Sequence, residues 1–99
     1  MEIDKMKKIF CTFSLFSLNQ TVFLVNDEND IREIATIETA DFEKKISEFC
    51  NFYDVNNVIL QGNKSYCEAL GEGIKRENIL NYNNHNIEVE VISNYDIPD

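Results

Sequence analysis

"VILQGNKSYCEAL", residues 58–70, begins with the apolar run Val58 to Leu60, reaches a single Gly62, and from Asn63 onward changes to a helical spacing. A short apolar run that ends in glycine and meets an N-cap residue reads as a strand delivering the chain into a helix. The same arrangement can cradle a phosphate where backbone amides meet it at a helix N-terminus. With one glycine and only Lys64 beside it, the stretch reads first as a tight strand-to-helix turn.

Working outward from this turn, Tyr66, Leu70 and Ile74 recur every four residues as the buried stripe of the helix. Gly71 and Gly73 each weaken a helix by about 1 kcal/mol relative to alanine, so the helix is expected to end early, with Asn78 to Asn86 as loop. Ile87 to Ile92 then alternates, with Ile87, Val89 and Val91 on one side and Glu88 and Glu90 on the other. Upstream, Phe42, Ile46, Phe49, Cys50 and Tyr53 form one apolar stripe of period about 3.6, capped by Thr39 or Asp41. Glu43, Lys44, Lys45, Ser47 and Glu48 fall on its solvated face.

Before that helix the period is two. Ile9 to Phe16, Thr21 to Val25 and Ile31 to Glu38 read as three strands, joined by a turn at Leu18-Asn19-Gln20 and by the acidic cluster 26–30. Val58 to Gln61 reads as a central strand or one covered on both faces. The expected order is strand, strand, strand, helix, strand, helix, strand. Ninety-nine residues make one domain. Residues 1–7 are an N-terminal extension in which Met6 is a second candidate start, and 93–99 are a tail.

This order resembles the ribonuclease H-like fold, an α/β arrangement of a mixed five-stranded sheet in the order 3-2-1-4-5 with its second strand antiparallel. A ferredoxin-like arrangement would need a helix between the first two strands, for which the Asn19-Gln20 turn is too short. Right-handed crossovers place both helices on one face of the sheet. The other face is then uncovered and carries Phe10, Thr12, Ser14, Phe16, Glu88 and Glu90, the expected partner-binding residues.

The resemblance also implies what a nuclease would need: grouped carboxylates from the first strand, the first helix and the end of the fourth strand, holding two metal ions. Ile9 to Phe16 and Val58 to Gln61 contain no acid. The expectation is therefore no catalytic residue, no metal and no enzyme. In the sugar-kinase and actin-like branch, a strand running into two or more glycines binds nucleotide, and "VILQGN" resembles a shortened version of it. A cysteine–histidine pair would have to use His85 in the Asn-rich loop, and no Gly-x-Ser-x-Gly elbow is present.

Eighteen acidic residues against nine basic give a net charge of -9. Such a surplus repels phosphate backbones and anionic lipid, and favours a protein partner with a basic surface. Lys7 and Lys8 before Ile9 to Leu18 resemble the start of a signal peptide, but Thr12, Ser14 and Ser17 interrupt the apolar run. No run reaches the ~18 apolar residues of a membrane helix. Cys11, Cys50 and Cys67 are odd in number and form no metal-binding spacing, which points to buried thiols in a reducing cytoplasm.

The abundance of Asn, Ile and Lys, with "NNVILQGNKSYCEALGEGIKRE" and "NNHNIEVEVI", resembles small proteins of phages and prophages of low-GC bacteria. Together these features predict a non-enzymatic protein-binding module without cofactor. It would be a phage accessory protein that inhibits a nucleic-acid-dependent host system. The alternative is a small nucleotide or metabolite binder at Gly62-Asn63, and a homodimer through the uncovered face is a further option.

Overall fold

The computed structural model describes residues 7–26, 28 and 30–93. The expected extension up to Met6 and the tail beyond Ser93 lie outside these residues. The elements are β1 (Lys8–Thr12), β2 (Asn19–Val25), β3 (Ile31–Glu38), a single 3-10 turn (Thr39–Asp41), α1 (Phe42–Phe52), β4 (Asn57–Gly62), α2 (Lys64–Tyr82) and β5 (Glu88–Ser93). They build one sheet in the order β3-β2-β1-β4-β5. β2 runs antiparallel to both β1 and β3, while β4 is parallel to β1 and to β5. The ribonuclease H-like architecture expected from the element order is the one observed.

Alternation along the strands separates two faces. Ile9, Cys11, Val22, Leu24, Val58 and Leu60 are buried, and they pack with Phe42, Ile46, Cys50, Leu70 and Ile74 of the two helices. Phe10, Phe23 and Ile59 point the other way and are only half-buried. Both helices therefore cover one face, and the second is uncovered among the described residues. The run Val58 to Gln61 is central but not enclosed, since Ile59 and Gln61 remain half-buried.

Several local expectations are corrected by packing. α2 does not end near its glycines but continues to Tyr82. Gly71 lies against Val89 of β5, and Gly73 lies against the carboxylate of Glu43 in α1. Close approach of α2 to both neighbours outweighs the weak helix propensity of the two residues. Asn83 then ends the helix at a left-handed φ of 53°, and the amide of Asn84 reaches back to the carbonyl of Asn78. Asparagine tolerates that conformation well.

Ser47, expected on the solvated face of α1, is buried. α1 is gripped by the sheet and by α2 together, which widens its buried arc. Across that helix pair, Asn51 Nδ2 donates to Asn78 Oδ1 at 2.6 Å; within α2 Asn78 Nδ2 donates to the Ile74 carbonyl at 2.8 Å, and from the loop after α2 Asn84 Nδ2 donates to Asn51 Oδ1 at 3.2 Å. Neither Thr39 nor Asp41 makes a side-chain cap to the helix start.

Candidate functional site

Ligands of α/β sheets bind beyond the carboxyl ends of the parallel strands, where the exits of neighbouring strands diverge. In this chain β1 and β4 are the parallel neighbours at the centre of the sheet, and Thr12 is in register with Gln61. Both side chains emerge on the uncovered face, and the Thr12 hydroxyl donates to Gln61 Oε1 at 3.5 Å. The backbone amide of Phe13 continues the pairing with a 2.8 Å bond to the Gln61 carbonyl.

The stretch 58–70 owes its shape to this meeting of strand ends. Gly62 has no positive φ, so its role is space and not conformational freedom. A Cβ there would lie 2.6 Å from the Phe13 carbonyl oxygen and 3.3 Å from Cys67 Sγ. Asn63 caps α2 by accepting the Tyr66 amide at 2.9 Å, as its residue type predicts. Lys64, the first helical residue, is exposed. The Tyr66 ring packs on Phe13 with centroids 5.3 Å apart and keeps 41% of its surface in solvent.

The exit of β1 is held by a side chain that the sequence reading placed in a turn. Gln20 belongs to β2, on the same side as Val22 and Leu24, and is 2% exposed. Its Nε2 donates to the Ser14 carbonyl at 2.8 Å and to Thr39 Oγ1 at 2.9 Å, while its Oε1 accepts the Ser14 amide at 3.1 Å. The period-two alternation of Gln20, Val22 and Leu24 was the sequence signal: a polar residue on a buried face must find partners.

Of the expected site residues, Phe10, Thr12, Glu88 and Glu90 share the uncovered face. Phe10 and Glu90 flank Ile59 in one cross-strand row. Ser14 and Phe16 do not belong to it. β1 ends at Thr12, because the chain turns away once Gln20 captures Ser14, so both residues lie in the loop between β1 and β2. Gln61, Tyr66, Leu15 and Leu18 were missed, since their proximity to the β1 exit comes from tertiary contacts.

The carboxylates of a two-metal nuclease do not gather here. The strand-end positions carry the neutral Thr12 and Gln61, and the Glu43 carboxylate packs on Gly73 in the middle of α2. No group of three or more His, Cys, Asp or Glu side chains able to hold a metal ion occurs among the described residues. The donors of the described residues do not fit a two-metal centre. The three cysteines are free and buried. Burial pushes the Cys11 thiol up to about 12, with Cys67 adding to the effect; burial alone pushes Cys50 up to about 12 and also raises Cys67. Such thiols are poor nucleophiles. His85 is exposed beside Asn83. A separate groove of about 460 Å3 lies between α2 and β5, floored by Val89 and Val91 and walled by Glu68 and Glu72.

No family model matches this sequence, and no curated protein matches it. Among solved structures, the chain is similar to the Holliday junction resolvase of fowlpox virus, with 23% identity and a TM-score of 0.47. The match covers 86% of this chain and 60% of the resolvase chain, so this chain spans about three fifths of that protein. A likeness to a resolvase stands against the expectations of a non-enzymatic protein-binding module, of no enzyme, and of a partner that is protein and not nucleic acid. The nucleotide or metabolite site at Gly62-Asn63 is no better placed, since Gly62 is occupied by its contact with Phe13. The exclusion of nucleic acid had rested on net charge, which sums over the whole surface and does not report the potential or chemistry at one edge of the sheet.

Proposed function

We propose that this chain is a nucleic-acid-directed domain that engages its ligand at the carboxyl edge of β1 and β4. The observation that carries this reading is the Thr12–Gln61 pair, a neutral hydrogen bond between an exposed and a half-buried side chain at the central strand ends, with Lys64 and the Tyr66 ring at the start of the adjoining helix. Hydroxyl and carboxamide groups suit sugar, base-edge and phosphate oxygens, a lysine suits a phosphate, and an aromatic ring suits a base.

The net charge of -9 sets the form such binding takes. With few cations at the edge, few counterions are released, so affinity falls only shallowly with salt. Fluorescence anisotropy with labelled single-stranded, duplex and four-way-junction DNA tests the reading. The expected result is binding to at least one of these, weakened when Thr12→Val and Gln61→Leu are combined. No binding at protein concentrations up to about 100 µM in low salt, the weak end of non-specific association, overturns it. Gel analysis of the same mixtures with magnesium reads whether bound strands are cut.

A phage or prophage setting in a low-GC host belongs to the same proposal and rests on the residue bias; the flanking genes test it. A cytoplasmic location rests on the three free cysteines, and fractionation of expressing cells tests it.

A further inference from the structure

Three large apolar side chains stand in solvent on the loop that leaves β1: Leu15 is 46% exposed, Phe16 98% and Leu18 84%. Their loop is fixed from below. The buried Gln20 carboxamide grips both the amide and the carbonyl of Ser14. Thr39 closes the far side, its hydroxyl donating to the Ser17 carbonyl at 2.8 Å and its amide to the Leu18 carbonyl at 2.8 Å. Within the loop the Ser17 hydroxyl donates to the Asn19 carbonyl at 2.6 Å, and the Phe16 amide donates to Ser14 Oγ at 3.3 Å. A frame of this kind keeps the apolar side chains from folding back onto the protein.

We propose that the loop 13–18 is a stacking platform for unpaired bases, with the Phe16 ring as the platform and Leu15 and Leu18 as its apolar flank. This inference rests on the nucleic-acid reading above and specifies which part of the ligand that edge takes. The loop continues directly from Thr12, and its first residue, Phe13, is bonded to Gln61 and stacked on Tyr66. A ring held rigid in the free protein loses little conformational entropy on binding. Stacking needs no positive charge and accepts any base, which suits a chain of net charge -9. Bases inside a duplex are already stacked on each other, so the platform selects single strands, frayed ends and branch points.

The test compares the wild-type chain with Phe16→Ala and Phe16→Trp on three DNA probes: a single strand, a blunt duplex and a four-way junction with 2-aminopurine at its branch. At so exposed a position Phe16→Ala keeps the thermal midpoint of the parent. The expected result is at least about a fivefold loss of affinity for the single strand and the junction, consistent with the energy of one base–aromatic stack, with recovery in Phe16→Trp. 2-Aminopurine fluorescence should be quenched by the wild type and not by Phe16→Ala. Equal affinity of wild type and Phe16→Ala for every probe overturns the platform while leaving nucleic-acid binding standing. No binding by the wild type to any probe overturns both. Phe16-dependent capture of the chain by phosphatidylcholine vesicles, with DNA affinity unchanged in Phe16→Ala, reassigns the loop to a lipid surface and also overturns the proposal.

Discussion

The Cβ that Gly62 lacks would sit 2.6 Å from the carbonyl oxygen of Phe13, the first residue beyond β1. Backbone cannot retreat there without parting the Phe13–Gln61 bond that aligns the two strand ends. Gly62→Ala is expected to destabilise the fold by about 1–3 kcal/mol, as overpacking does. Urea denaturation measures it, and an unchanged midpoint would show that the strand ends are free to separate.

Gly73 gives the opposite expectation. An added Cβ meets only the carboxylate of Glu43, the far end of a flexible side chain. Once Glu43 rotates away, Gly73→Ala should stabilise α2 by about 0.5–1 kcal/mol through helix propensity. Gly62→Ala and Gly73→Ala should therefore move the denaturation midpoint in opposite directions.

Ser47 of α1 and Asn78 of α2 are both buried polar residues but differ in hydrogen-bond status. The Ser47 hydroxyl is buried without a partner among the described residues, whereas the Asn78 carboxamide both donates and accepts. Ser47→Ala should be neutral or stabilising by up to about 1 kcal/mol, because it removes an unsatisfied group. Asn78→Ala should cost about 1–3 kcal/mol, because it removes one of the two acceptors of Asn51 Nδ2 and leaves only the Ser47 carbonyl at 2.8 Å. Thermal unfolding of both variants gives the comparison.

Gln20 connects stability with the site. Gln20→Leu keeps the burial but removes the grip on Ser14 and Thr39, leaving the Ser14 backbone groups to find water. We expect a loss of about 1–3 kcal/mol. Limited proteolysis between residues 13 and 18 should become faster, and affinity for unpaired DNA should fall alongside it. Faster cleavage without any loss of affinity would show that the preorganised loop is not used in binding.

Alkaline pH should unfold the chain through its cysteines. Cys11 and Cys50 have thiols pushed from the ordinary 9.0 up to about 12 by burial. Between those values the unfolded chain has released thiol protons that the folded chain retains, so the unfolded state binds fewer protons and stability declines as pH rises. Their contribution is intact below about pH 9 and is lost progressively toward pH 12. Denaturant midpoints measured from pH 7 to 11 should fall above pH 9, and less steeply in Cys50→Ala. At pH 8 a thiol reagent should label the native chain only as fast as it opens.

Hydrophobic period was enough to place three alternating strands, a helix, a fourth strand, a second helix and a last strand, and the resemblance of that element order to a known fold supplied the sheet order 3-2-1-4-5. Period is a property of neighbouring residues: Ile9 and Cys11, or Phe42 and Ile46, declare their shared face without reference to the rest of the chain. The boundaries that moved are those decided by distant partners. β1 stops at Thr12 because Gln20 captures Ser14, and α2 outlasts its two glycines because Val89 and Glu43 lie against them. The candidate site belongs to the same class. Thr12 and Gln61 are 49 residues apart, and Phe16, expected beside Thr12 on the sheet face, stands instead on a framed loop in solvent. Such contacts depend on how strand ends and helices converge in space, which local spacing does not encode, so folding had to bring them together before they could be recognised.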